Sequence, residues 1–391
     1  MYYSEELINE IKTHINIMDI INITPIKEKN GIVFGLCPFC KKETFVIDAN
    51  KQEYACFLCQ KSGDIIRYKM EHDNQSFESA VSGLARTLHM KIPNMKRTKD
   101  LKEIKKRLIQ MNVFAENVFM KELSENKKGK EYVEERKLTE ETIKRFELGL
   151  DNPKNNLYGM LSDTYSSDEV IASGLVSVSS KTETINKNDV YNKFYNRLIF
   201  PIRNEFNVLI GFGGRVLDDK KPKYLNSPET IVYDKSSNLY ALNLAKRSKK
   251  DYFLLAEGYM DVISLHQDGF TNAVASLGTA LTPMQAQKLK KYKNSVFLTY
   301  DTDGPGKNAI ARAIPILKES GLETYVVDMA PYKDPDEFIK AEGKEKYAER
   351  IQMALPANEW MLKTVAETET VGIEELETMT KIIEEQFQKG R

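Results

Sequence analysis

Four cysteines occur in 391 residues, and all of them fall between Cys37 and Cys59. They stand as two pairs, Cys37-Pro-Phe-Cys40 and Cys56-Phe-Leu-Cys59, with fifteen residues between them. Two tight turns at this spacing each offer two thiolates to one tetrahedral ion, which is the pattern of a zinc ribbon. Two disulfides are the poorer explanation in a reducing compartment. With protein groups in all four positions, the expected ion is one structural Zn²⁺ and not a catalytic one. Alternation through Thr44-Phe45-Val46-Ile47 and Tyr54-Ala55 predicts short strands carrying the turns. Phe39, Phe45 and Phe57 read first as the core of so small a fold and second as stacking surfaces for bases.

The chain is long enough for two or three domains, each with its own core. No apolar run suits a bilayer, and the opening MYYSEELINEIK lacks a signal-peptide pattern, so a cytoplasmic protein with no membrane partner is expected. Lys plus Arg equals Asp plus Glu at 57 each, so bulk charge does not point to nucleic acid. Its distribution is uneven. Lys91–Arg107 holds eight basic residues against Asp100 and Glu103, Val190–Lys250 twelve against five acidic, and Asp251–Glu345 fourteen acidic against ten basic. Such runs are solvated faces or polyanion tracks, and charge alone does not choose.

After the cysteines, Asp64–Glu71 and Phe77–Leu88 read as helices, and Lys91–Lys99, with Pro93, as a basic linker. Asp100–Lys127 has helical period, and Thr139 caps a further helix to about Phe146. Asn152–Asn188, rich in Ser, Asn and Asp, reads mostly as loop. Leu198–Ile202 and Val208–Phe212 read as strands. From Asp251, strands and amphipathic helices alternate: Tyr252–Ala256, Met260–Gln267, Ala273–Ala275, Pro283–Lys290, Val296–Tyr300, Gly306–Ser320 and Thr324–Val327. That alternation predicts a parallel α/β sheet.

Functional groups gather at the carboxyl ends of such strands. Glu257 follows the first strand, Asp301 and Asp303 follow the third, and Asp334 with Asp336 follows the strand ending near Asp328. A single Asp in a loop is ordinary. Acids at successive strand ends repel one another, and hard divalent cations are the usual compensation.

Glu257-Gly-Tyr-Met-Asp-Val262 with Asp301-Thr-Asp303-Gly-Pro-Gly306 resembles the Toprim domain, the metal-binding module of DnaG-type primases, type IA and type II topoisomerases and some nucleases. Flanking segments are similar to the primases: Asn196-Arg-Leu-Ile-Phe-Pro-Ile202, Gly211-Phe-Gly-Gly-Arg215, Pro222-Lys-Tyr-Leu-Asn-Ser-Pro228 and Ala275-Ser-Leu-Gly-Thr279. Glu135-Arg-Lys-Leu138, and the ribbon followed by Gly63-Asp64, keep the same order, so the resemblance covers about residues 1–345.

The resemblance implies a multidomain α/β protein. Residues 1–90 would form a zinc-ribbon DNA-binding domain, 91–110 the linker and start of the core, and 111–250 a basic mixed α+β subdomain. Residues 251–345 would form the Toprim sheet and 346–391 a helical segment. It implies synthesis of short RNA primers from ribonucleoside triphosphates on single-stranded DNA. Glu257, Asp301 and Asp303 would hold two or more Mg²⁺ or Mn²⁺ ions, with Asp261, Asp334 and Asp336 in the same site. Arg136, Arg215, Lys223 and Lys235 would bind template and nucleotide. Arg197 and Arg203 share the basic region, with a strand-edge or ion-pair role an equal alternative.

Two departures stand out. The family usually has His as its second zinc ligand, where this chain has Cys40. It also usually ends in a helical helicase-binding domain, whereas only about 45 residues follow Lys346 here, a short form such as a phage or mobile element carries. Ala348–Ala366 and Ile373–Phe387 read as two helices closing the Toprim domain, too small for a separate docking module for a replicative helicase. The alternatives are a Toprim-type nuclease and a zinc-ribbon DNA-binding protein. No Gly-x4-Gly-Lys-Ser/Thr loop marks a fused helicase.

Overall fold

The chain divides into two compact units, Met1–Ile104 and Lys105–Arg391. The computed structural model describes residues 5–367 apart from 60, 74, 76, 89, 91–96, 153, 180–188, 219–220 and 279. Most of the expected linker, and the helix expected at Ile373–Phe387, lie outside the described residues.

The first unit opens with α1 (Glu5–His14) and α2 (Ile17–Ile20) and continues as an antiparallel meander. Its strands are β1 (Pro25–Lys29), β2 (Ile32–Gly35), β3 (Phe45–Asp48), β4 (Glu53–Cys56) and β5 (Ser62–Gly63), paired in chain order. Two helices follow, α3 (Ile65–His72) and α4 (Phe77–Thr87). Asp64 starts α3 by accepting the Ile66 and Arg67 N–H groups, both at 2.9 Å, which satisfies donors the first turn leaves open. Phe45, Ile47 and Tyr54 from the strands are buried with Ile11, Ile17 and Tyr68 from the helices. Phe45 is therefore core, Phe39 packs on Tyr54 and Tyr68, and Phe57 is 74% exposed.

The second unit holds most of α5 (Arg97–Glu125), whose apolar stripe Leu108, Met111, Ala115, Phe119 and Leu123 is buried. Next come α6 (Lys127–Glu135), α7 (Glu140–Arg145) and β6 (Gly149–Asp151). The stretch expected to be loop then contains α8 (Leu157–Ser162), α9 (Ser167–Ala172) and β7 (Val176–Val178). That expectation is corrected: the polar residues that suggested loop are helix caps. Asn156 accepts the Gly159 N–H, and Ser166 with Glu169 forms a capping box.

β8 (Val190–Asn192) pairs with β7, while β9 (Arg197–Arg203), β10 (Leu209–Val216) and β11 (Tyr224–Asn226) join β6 in an antiparallel sheet of order β11-β10-β9-β6. Nearly every residue of β9 and β10 is buried, so both faces of this sheet are covered.

After α10 (Leu242–Ala245), the expected alternation appears as β12 (Tyr252–Ala256), α11 (Tyr259–Gln267), β13 (Ala273–Ala275), α12 (Pro283–Lys290), β14 (Ser295–Leu298), α13 (Gly304–Glu319) and β15 (Glu323–Val326). These four strands are parallel in the order β13-β12-β14-β15. The path reverses direction about β12, so the crevice between the carboxyl ends of β12 and β14 is a topological switch point. α14 (Pro335–Gln352) follows.

The single helix expected over Ala348–Ala366 is broken. Leu355–Pro356 forms β16, which pairs antiparallel with β15, and α15 (Ala357–Glu367) begins after it. Pro356 cannot donate the hydrogen bond a helix interior needs, and an edge strand tolerates it.

The two sheets of this unit share one hydrophobic core, with a close contact at Gly213. A Cβ at Gly213 of β10 would lie 2.5 Å from the ring of Tyr259, and that ring stacks on Phe200 of β9 at 4.9 Å and 7°. Gly213→Ala must therefore push Tyr259 off Phe200, and overpacking of this kind costs about 2 kcal/mol. Thermal or denaturant unfolding of the variant measures it; unchanged stability would mean the contact is loose.

Candidate active site

The cysteine site follows from two strand-borne turns. Cys37 Sγ lies 3.8 Å from Cys59 Sγ, Cys40 Sγ lies 3.7 Å from Cys56 Sγ, and all four sulfurs fall within 4.8 Å of one another with no disulfide. A tetrahedron of Zn–S bonds of about 2.3 Å has edges of roughly 3.8 Å, so the quartet fits a four-coordinate ion. The Cys40 N–H donates to Cys37 Sγ at 3.5 Å and the Cys59 N–H to Cys56 Sγ at 3.4 Å, which supports charge on the first sulfur of each turn. Burial pushes the Cys37 thiol up to about 11 and Cys59 higher still. Burial also opposes ionisation of Cys56, yet the Thr44 hydroxyl and the turn's N–H groups bring it down to about 6.

The acids sit where the sheet delivers them. Glu257 leaves β12 and accepts the Asp301 N–H at 3.3 Å, which joins the ends of β12 and β14. Asp303 caps α13 by accepting the Gly306 N–H at 2.9 Å, and Asp334 caps α14 by accepting the Glu337 N–H at 2.8 Å. A Cβ at Gly306 would stand 2.1 Å from the Asp301 carbonyl oxygen, so this turn requires glycine. Asp261, buried in the first turn of α11, accepts the Gly258 N–H at 3.0 Å. Asp336 is buried too, held by the Ser264 hydroxyl and by Lys340 at 2.7 Å.

Burial, followed by the charges of Asp301 and Asp303, raises the Glu257 carboxyl. Burial, then Asp334, Asp301 and Asp336, raises Asp261 well above the carboxylate range. Asp334 is raised by burial and by neighbouring acids including Asp336 and Asp301. All six carboxylates thus share one field.

Among the described residues the cysteine quartet is the only set of three or more such ligands converging within 4.8 Å. The acids form an open rim, not a closed cage. An oxygen-only rim of repelling carboxylates suits Mg²⁺ or Mn²⁺, since Mg²⁺ keeps several waters and takes few protein ligands.

Sequence reasoning missed Lys333. Its ammonium lies 3.1 Å from Asp301 and 3.8 Å from Asp303, and Asp301 first among its neighbours raises its pKa. Its carbonyl accepts the Thr302 N–H at 2.9 Å, tying the two acidic loops together. The one available signal was its place beside Asp334-Pro-Asp336.

The expected cations separate into two kinds. Lys223 is held below the usual lysine range by burial, then by Arg215, Lys333 and Arg136, with Asp334 acting the other way. Those cations therefore adjoin the acids. Arg215 is buried between aromatic rings, 5.3 Å from Tyr224 and 5.9 Å from Tyr132, and donates to the Tyr224 hydroxyl at 2.8 Å. Arg136 lies over the same Tyr132 at 5.5 Å.

Arg197 instead donates to the carbonyls of Gly214 and Lys223, both at 3.3 Å, and Arg203 is engaged by Glu116 and Glu147, each with a 2.7 Å hydrogen bond. Both guanidinium groups thus have hydrogen-bond partners within the protein. Lys235 stands in a short turn beside Lys193, whose pKa is lowered by burial and then by Lys235.

Three family descriptions match the chain: CHC2 zinc finger over residues 3–100, DNA primase catalytic core N-terminal domain over 118–246, and Toprim-like over 254–339. A DNA primase of Aquifex aeolicus is 33% identical over 369 residues, covering 92% of this chain and 71% of that protein. The chain belongs to the DnaG-type DNA primase family. A DNA primase of Clostridium acetobutylicum is 38% identical over 390 residues, 98% of this chain and 64% of that protein. The chain thus spans about two thirds of the Clostridium protein's length, and 54% of a DNA primase from Lactococcus lactis.

Among solved structures, the Aquifex aeolicus primase comprising zinc-binding and RNA polymerase domains matches with TM-score 0.62 at 30% identity, over 96% of this chain and 90% of that one. A DnaG primase catalytic domain bound to single-stranded DNA matches with TM-score 0.62 at 31% identity, over 68% and 84%. No described helix is long and apolar enough to cross a membrane.

The raised carboxyls carry a pH consequence for this DnaG-type site. A carboxyl whose pKa is higher folded than unfolded costs stability as pH climbs from the ordinary carboxylate range, near 4, through its raised value. Divalent cations should return that stability. Adding Mg²⁺ or Mn²⁺ is expected to raise the melting temperature by about 2–4 °C at pH 8, the shift that 1 kcal/mol produces, and by much less at pH 4.5. Asp301→Asn should melt higher than the parent without metal and respond less to it. An equal metal response at both pH values would contradict the assignment.

Proposed function

We propose that the chain is a DNA primase: a template-directed RNA polymerase that starts short RNA strands on single-stranded DNA from ribonucleoside triphosphates, in the cytoplasm. The observation that carries this reading is the meeting of two opposite charge clusters at one edge of the parallel sheet. Lys333 stands 3.1 Å from Asp301 and 3.8 Å from Asp303, and Arg136, Arg215 and Lys223 lie in the same electrostatic neighbourhood. Cations track the phosphates of a strand, and carboxylates recruit the ions that a triphosphate brings.

In this reaction a 3′-hydroxyl attacks the α-phosphate of the incoming nucleotide, and the bond to the β-phosphate breaks to release pyrophosphate. Mg²⁺ or Mn²⁺, held by Glu257, Asp301 and Asp303, would supply charge neutralisation at the attacking and leaving oxygens. Asp261, Asp334 and Asp336 would orient that rim from behind, two of them as acids already buried. Arg136 and Arg215, fixed by Tyr132 and Tyr224, would hold phosphates without first having to be ordered. Lys223 would follow the template and Lys235 its continuation. Arg197 and Arg203 are assigned to structure, because backbone carbonyls and glutamates already occupy their donors. The cysteine quartet would hold one zinc, residues 1–90 serving template recognition and 111–345 the polymerase chemistry.

Incubation of the purified chain with single-stranded DNA, labelled ribonucleotides and Mg²⁺ or Mn²⁺, followed by product sizing, tests the proposal. Short RNA products are expected, and Asp301→Ala should abolish them while DNA binding persists. Lys223→Ala should weaken binding and reduce the log–log salt slope by about 0.7, the contribution of one single-strand phosphate. Near-normal synthesis by Asp301→Ala would overturn the metal assignment, and absence of products from the parent chain would overturn the activity.

A further inference from the structure

The opposite end of the parallel sheet carries a second charged face. β12 and β14 are parallel, so their amino ends share one edge, roughly 16 Å from Glu257 for five residues rising about 3.3 Å each. Two basic segments lead into that edge: Lys246-Arg-Ser-Lys-Lys250 before β12, and 288–293, which runs from the last turn of α12 towards β14. Lys293 is buried and donates to the carbonyls of Ser248, at 3.0 Å, and Lys250, which staples the segments together.

The third part is the turn between β9 and β10. Glu205 is buried there, ion-paired with Lys288 at 3.0 Å and Lys291 at 2.9 Å, and accepts the Tyr292 hydroxyl at 3.2 Å. It therefore anchors the turn on the basic segments. Phe206, next in the chain, is 70% exposed at the tip. Lys246 Nζ lies 5.5 Å and Lys291 Nζ 5.8 Å from its ring centre. Residues 205–207, 246–251 and 288–294 together hold eight basic side chains against Glu205 and Asp251. Glu205 is already paired, and Arg247, Lys249 and Lys250 remain exposed.

We infer that this face binds single-stranded nucleic acid, with a base stacked on Phe206 and phosphates on the flanking cations. Stacking on an exposed aromatic beside a cationic strip is how sequence-tolerant single-strand sites work, since every base has a π-face. An acidic peptide would use the cations and leave Phe206 without a role. The face lies across the sheet from the carboxylates, so it is a separate contact from the one proposed for the reaction.

Phe206→Trp places a reporter at the tip without disturbing the core, and the parent chain, with Trp360 as its one tryptophan, supplies the background. Titration with an oligothymidylate of about 20 nucleotides should quench the added emission, while polyglutamate of matched charge should not. Adding Arg247→Glu and Lys250→Glu should weaken this titration at least tenfold and lower its salt slope by about 1.4, two phosphates' worth. Unchanged emission while the oligonucleotide binds elsewhere, seen by its own anisotropy, overturns the inference. Equal quenching by polyglutamate also overturns it and assigns the face to an acidic protein. Neither readout requires synthesis, so failure here is distinct from failure of the primase reading.

Discussion

Parallel strands deliver all their carboxyl ends to one edge, and in this chain β12, β14 and β15 each lead to acids that share a common field. Repulsion within the rim is visible in the carboxyls of Glu257, Asp261 and Asp334, held above their ordinary range by burial and by neighbouring acids. The fold answers that repulsion locally before any ion arrives. Asp303 and Asp334 are N-caps, and Asp261 occupies the first turn of α11, so backbone N–H groups and helix dipoles face the negative charge. Lys333 supplies the full positive charge beside Asp301 and Asp303, and Lys340 the one beside Asp336. The acids are thus structural caps and candidate ligands at once, which is why the rim can persist as an assembly of like charges.

The cationic side is organised by different means. Arg215 and Arg136 are oriented by the rings of Tyr132 and Tyr224, and among the described residues no carboxylate is ion-paired with either. Tyr259 connects this side to the rim: it stacks on Phe200, and its hydroxyl donates to Asn226, which in turn donates to the Leu277 carbonyl after β13. The antiparallel sheet carrying the cations and the parallel sheet carrying the acids are held in register through that chain of contacts. Arg203 shows the contrast. With Glu116 and Glu147 around it, it stabilises the sheet, and its removal would leave a buried carboxylate uncompensated.

Much of this was legible in the residues. Cysteine spacing defined the ribbon because tetrahedral thiolate binding allows few arrangements, and β/α alternation from Asp251 defined the parallel sheet and therefore where Glu257 and Asp301 would meet. Local composition misled where polar residues act as caps: Asn156 and Ser166 looked like loop and begin helices. Leu355 fitted a helical stripe yet pairs with β15, an edge that helical periodicity cannot reveal. The pairing of Arg203 with Glu116, 87 residues away, and the approach of Lys333 to Asp301 are products of tertiary packing with no local signature. The basic total cancelled against the acidic one, so the charge faces emerged only once strand ends were assigned to opposite edges.

The central claim is that the carboxyl-end rim, and not another cluster of acids, is the divalent-metal site of this DnaG-type chain. Anomalous diffraction from crystals soaked in Mn²⁺ tests it most directly. The account predicts manganese peaks beside Glu257, Asp301 and Asp303, with the Lys333 ammonium displaced from Asp301. Peaks elsewhere, or an empty rim with Lys333 still bridging Asp301 and Asp303, would contradict it.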